Sequence, residues 1–166
     1  MNAPISPSKT FASRDREGAL LSKHLYQTIS PTVAVTLTFK QPFTVKTLGI
    51  DTLKKTCRLF LNRVNRRLYG SHAPRRKGYK VGSIGSIGYG PYGNHPHAHL
   101  ALTAPPKLPS TQFISLVREI IRTTKGLDRQ CEVKPCHDYR WVQYMLNQRK
   151  HDWIAELTYP AKHPSD

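Results

Sequence analysis

A chain of 166 residues is long enough for one domain around one core and too short to add a motor or helicase domain. Lysine and arginine outnumber aspartate and glutamate by 26 to 10, a net charge of +16, and no acidic residue occurs between Asp51 and Glu119; this points to a polyanion, nucleic acid first, without choosing DNA over RNA. Three cysteines form no even disulfide framework, no charged-then-apolar leader opens the chain, and no stretch is apolar and long enough to span a membrane, so a cytoplasmic protein away from membranes is expected.

Residues 1–30 are rich in Ser, Pro and charge and read as a partly flexible N-terminal arm, with one short helix after Ser13 carrying Leu20, Leu21 and Leu25 on one side. The remaining residues, 31–166, read as the functional domain. Val33 to Phe39 is β-branched and apolar, a buried central strand that stops before Pro42. From about Leu48 to Tyr69, Ile50, Leu53, Cys57, Phe60, Leu61, Val64 and Leu68 recur at helical spacing, with basic residues on the other faces. A glycine-interrupted strand around Tyr79 to Tyr89, a turn through Gly90 to Asn94 and a strand through His97 to Thr103 form a hairpin. Ser110 after Pro109 starts a helix that ends near Gly126; Cys131 to Pro135 is a short strand. A last helix follows Asp138, with Trp141, Val142, Met145 and Leu146 as its buried side.

The order βαββαβα defines an α+β protein. It suits a ferredoxin-like (RRM-like) βαββαβ antiparallel sheet with two crossover helices on one face, the other face free for a site, and an appended C-terminal helix. No internal repeat is visible beyond the Gly-Ser-Ile duplication at Gly82 to Ile87.

The chemistry concentrates in two places. In a strand, His97 and His99 share one face while Ala98 and Leu100 turn to the core, and two imidazoles on one face can hold one metal ion; His95 falls on the same face at the strand entry. On the last helix, Tyr144 and Gln148 are four residues apart and so lie on one side, with Asn147 and His151 nearby on it. A histidine pair on a strand is often only solvent-facing, and a helical tyrosine is often only packing. Their joint occurrence is what carries the functional reading.

Val35-Thr36-Leu37-Thr38-Phe39-Lys40, Pro96-His97-Ala98-His99-Leu100, and Cys131 to Pro135 followed by Asp138 and Tyr144 resemble, in order and spacing, the three motifs of the HUH endonucleases. That family includes rolling-circle replication initiators, conjugative relaxases and single-tyrosine transposases, and the resemblance spans roughly residues 33–150. It implies a metal-dependent single-stranded DNA endonuclease and strand transferase, a nucleotidyltransferase in which Tyr144 forms a covalent 5′-phosphotyrosine and leaves a free 3′-hydroxyl. It implies His97 and His99 as ligands of Mg2+ or Mn2+. The Tyr-x-x-Lys signature and upstream acidic ligand of many initiators are missing, since Asn147 follows Tyr144 by three and no Glu or Asp lies in residues 79–89. Tyr144-Met145-Leu146-Asn147-Gln148 resembles instead the Tyr-x-x-x-Gln of single-tyrosine transposases, which makes Gln148 the third ligand and His95 its rival. Asn147 and His151 are auxiliary candidates, for DNA contact or for tuning the phenol.

Single-stranded or hairpin DNA is the expected partner, gripped by Arg75, Arg76, Lys77 and Lys80, with Tyr89 and Tyr92 available for base stacking. Initiation of rolling-circle replication of a small replicon is the preferred role. A single-tyrosine transposase and a mobilisation relaxase are the alternatives. One active tyrosine makes one cut, so a second protomer, as in a homodimer, or a second round would complete a cycle; Tyr139, five residues before Tyr144, sits elsewhere on the helix. The non-enzymatic alternative is a basic RNA- or single-stranded-DNA-binding domain, for Lys77-Gly78-Tyr79 is similar to the opening of an RNA-recognition motif, although Lys80 to Ile84 lacks its stacking aromatics. A zinc set from Cys131, Cys136, His137 and His151 lacks the usual paired spacing.

Overall fold

The computed structural model describes residues 8–40, 49–73, 79–89, 95–147 and 153–158, with side chains for all of these except 8–17, 147 and 153–158. In chain order the elements are α1 (Ser8–Ile29), β1 (Val33–Thr38), α2 (Ile50–Tyr69), β2 (Ser83–Gly88), β3 (His97–Leu102), α3 (Ser110–Thr123), β4 (Glu132–Pro135), α4 (Arg140–Asn147) and β5 (Trp153–Thr158). The protein is α+β, and its strands form one antiparallel sheet in the order β4-β1-β3-β2-β5.

The pleat of the sheet sorts the side chains into two layers. Val33, Val35 and Leu37 of β1 and Ala98, Leu100 and Leu102 of β3 point into the main core, where they meet Leu53, Phe60 and Val64 of α2 and Phe113 and Val117 of α3. Both crossover helices therefore lie on one face. Residues one step out of phase face the other way: Ile84 and Ala101 pack with Ile29, Val142, Met145 and Leu146, a second core closed by α1 and α4.

Helix boundaries follow local chemistry. α2 ends where Gly70 takes φ +89° and its N–H donates to the Arg66 carbonyl at 2.9 Å. α1 ends at Ser30, held at φ +44° with its N–H on the Tyr26 carbonyl at 2.8 Å, and Pro31 bars any continuation. The Thr103 hydroxyl then donates to the Ile29 carbonyl, tying the end of α1 to the end of β3.

Three features depart from the sequence reading. The segment expected to be an arm with a short helix forms a helix of 22 residues. Its polar composition hides that Leu25, Tyr26 and Ile29, spaced for one helical face, close the second core. The sheet face opposite the crossover helices, expected to be open, is consequently partly covered by α1 and α4. Finally, β5 adds a strand beyond β2, pairing Ser86 with Trp153.

Candidate nucleophile and metal-ligand site

Register assembles the site. β3 lies between β1 and β2, pairing His99 with Thr36 and Ser86, and His97 with Thr38 and Gly88. Directly paired residues share a face, so both histidines stand on the α1/α4 side of the sheet with threonines on one flank and small residues on the other.

The two imidazole rings lie 4.7 Å apart between centroids, inclined by 65°. His97 donates from Nδ1 to the His95 main-chain carbonyl at 2.9 Å. Because a carbonyl only accepts, that bond puts a proton on Nδ1 and fixes the ring's orientation. His99 is 5% exposed, and its Nδ1 lies 3.2 Å from the Thr36 hydroxyl. Gly88 makes room for the His97 ring, since a Cβ there would fall 2.6 Å from Nε2.

α4 brings the tyrosine to this pair. Asp138 starts the helix, accepting the Arg140 N–H on Oδ1 at 2.8 Å, and Val142, Met145 and Leu146 anchor it to the sheet. Tyr144 is consequently carried on the free side, 46% exposed, with its ring centroid 5.2 Å from that of His99. Trp141 stacks on Tyr144 at 5.6 Å and 21°, meets the His99 ring edge-on at 5.2 Å, and donates its indole N–H to the Leu100 carbonyl at 3.0 Å. A reachable phenol thus stands beside a buried imidazole, fixed by an aromatic wall.

The spacing of the two imidazoles can be compared with that of a shared cation. Two imidazoles that share one ion through nitrogens about 2.1 Å from it have centroids roughly 4.5–5.5 Å apart, and the observed pair falls within that span. Among the described residues no group of three His, Cys, Asp or Glu side chains converges. The rival ligand His95 is therefore not gathered with His97 and His99; its side chain is exposed, and its carbonyl orients His97 instead. Gln148 and His151 lie outside the described residues, as do Arg75, Arg76, Lys77 and Tyr92, and nothing is described of the Asn147 side chain.

The remaining candidates stand apart from the histidines. Tyr89 is half-buried against the main core, on the opposite face of the sheet. Lys80 precedes β2 at the end that pairs with Leu102, the far end of β3 from His97. Tyr139 packs under Lys23 of α1, whose Nζ lies 5.3 Å from its ring centroid. Burial pushes up the thiols of Cys131 and Cys136, the latter to about 11 with help from Asp138, so neither offers a thiolate to rival Tyr144 at neutral pH.

Sequence reasoning missed Thr36, Gly88 and Trp141. Thr36 had a signal, the alternation Val35-Thr36-Leu37-Thr38 that sets threonines on the face opposite the core. Trp141 had one also: it precedes Tyr144 by three, a spacing at which helix side chains meet. Gly88 had the general signal of a glycine inside a strand, which allows a close approach of DNA or a bend, but that the His97 ring is what approaches appears only once β2 and β3 are in register.

No protein-family model matches the chain, and neither curated proteins nor solved structures yield a match. No helix among the described residues is long and apolar enough to cross a membrane.

Proposed function

We propose that this protein is a metal-dependent single-stranded DNA endonuclease and strand transferase of the HUH type, with Tyr144 as nucleophile. The observation that carries the reading is the approach of the exposed Tyr144 ring to His99, within a cluster where His97 and His99 share one sheet face. A ferredoxin-like frame belongs to the same proposal. Its support is the strand order β4-β1-β3-β2, with α2 and α3 as crossovers on one face.

The Tyr144 hydroxyl gives up its proton and its oxygen attacks a backbone phosphorus in line with the departing 3′ oxygen. The P–O3′ bond breaks, the 3′ oxygen takes up a proton, and the 5′ phosphate remains esterified to Tyr144. Because the new bond is again a phosphodiester, attack by a 3′-hydroxyl reverses the step and rejoins DNA. Mg2+ or Mn2+ held by His97 and His99, with Gln148 completing the set, would neutralise charge on the phosphate oxygens and favour their alignment. Trp141 limits the swing of the Tyr144 ring, and Thr36 and the His95 carbonyl hold the imidazoles in orientation. Initiation of rolling-circle replication is the role we carry forward, with transposition and mobilisation as alternatives that the flanking genes would separate.

The test is a denaturing gel of end-labelled single-stranded oligonucleotides, drawn from DNA flanking the gene, incubated with Mn2+ or with chelator. A covalent protein–DNA band that needs metal and disappears in Tyr144→Phe is expected, with oligonucleotide binding retained. Binding by the unaltered chain without any covalent band in Mn2+ would sink the nuclease reading and leave a basic nucleic-acid-binding domain.

A further inference from the structure

A second basic feature lies away from the tyrosine. Lys40, Arg118, Arg122 and Arg129 surround a cleft of about 640 Å³ beside β4, and Ile121, Leu127 and Val133 form its apolar lining. These three apolar residues belong to the main core, so the cleft opens on the α2/α3 side of the sheet, opposite the histidines.

The cations are arranged for an external anion. Arg118 donates from one guanidinium nitrogen to the Val133 carbonyl at 3.0 Å, which steadies the group and leaves its other N–H donors for a ligand. Asp128, the one carboxylate lining the cleft among the described residues, accepts the Gln130 N–H at 3.1 Å. The ion pairs found among the described residues, Lys134 with Glu132 and Arg140 with Asp138, involve none of the four cations. Four positive groups around one cleft repel each other, and a phosphate relieves that repulsion while taking charge-assisted hydrogen bonds from the arginines.

Ile121, Leu127 and Val133 are 6%, 3% and 4% exposed, so the cations are what a ligand meets. A cleft of this size admits more than a bare phosphate, and on a chain of net charge +16 the matching anion is that of a nucleic acid. We propose that this cleft binds a nucleotide unit, its phosphate against Lys40, Arg118, Arg122 and Arg129. A free nucleotide and a unit of a single strand share that chemistry. The site stands whether or not Tyr144 cuts DNA.

The test is fluorescence anisotropy with a labelled oligothymidylate, with chelator present so that no metal-dependent cleavage intervenes, and with AMP as competitor. Arg122→Glu with Arg129→Glu should weaken binding at least tenfold. Arg66→Glu with Arg67→Glu, the same charge change at exposed positions of α2 outside the cleft, should weaken it by a far smaller factor. Equal losses in the two variants, or none in either, would overturn the proposal. Competition by AMP that the cleft variant abolishes identifies a free-nucleotide site, and strand binding without AMP competition identifies a strand unit. Should the cleft variant misfold, ultraviolet cross-linking of the unaltered chain to a 5-iodouracil oligonucleotide decides: adducts within residues 118–133 support the site, and adducts only elsewhere refute it.

Discussion

At the scale of single residues, the site depends on neighbours that do no chemistry. Gly88→Ala would set a methyl group 2.6 Å from Nε2 of His97, and the half-exposed ring would turn away. Mn2+ affinity, followed by titration of the bound ion, should fall roughly 10- to 100-fold, the usual cost of disturbing a ligand's supporting shell, while the melting temperature changes little. Thr36→Val removes the hydroxyl beside His99 Nδ1 and should lower Mn2+ affinity to a similar degree. Trp141→Phe keeps an aromatic ring against Tyr144 but loses the N–H donated to Leu100, which should cost about 1 kcal/mol in urea unfolding.

At the scale of elements, α4 is the piece on which the proposed function turns. Short helices gain most of their stability from packing, so the geometry of Arg140–Asn147 depends on its seat. That seat is the contact of Val142, Met145 and Leu146 with Ile29, Ile84 and Ala101, which makes α1 part of the site's support. Met145→Ala empties a position that is 1% exposed and should cost about 2–5 kcal/mol. Covalent adduct yield should fall with it although Tyr144 is untouched, a comparison made by denaturant unfolding beside the adduct gel. Gln143→Ala, on α4 but outside that seat, should leave both readouts in place.

At the scale of the whole molecule, burial and net charge set the response to solution conditions. The Cys57 thiol, 1% exposed in the main core, is pushed up to about 12 by burial, so the folded chain keeps a proton that the unfolded chain releases above about pH 9. Its contribution is intact below that pH and is lost as pH rises toward 12, by about 1.4 kcal/mol per pH unit. Cys57→Ala should therefore be less stable at neutral pH yet lose less between pH 9 and pH 12, a difference visible in urea midpoints measured across that range. With a net charge of +16, binding to single-stranded DNA should weaken linearly on a log-log plot against salt, with a slope that counts the phosphate contacts.

Much of this architecture is legible along the chain because its signals are local. The period-two alternation of Val33 to Phe39 and of His97 to Leu102, and the helical spacing of Leu53 to Val64, encode which side of each element is buried. The 2.0 and 3.6 periodicities need no partner to be read. That is enough to put His97 and His99 on one face and Tyr144 opposite Val142 and Met145. Contacts between distant segments were decided by tertiary structure alone: Leu25, Tyr26 and Ile29 become a core only against α4, Gly88 a cradle only in register with His97, and Trp141 a wall only beside His99. Residues 40 and 118–133 join in one cleft for the same reason. Each of these depends on a sheet register and a packing direction, which no single segment carries in its own pattern of side chains.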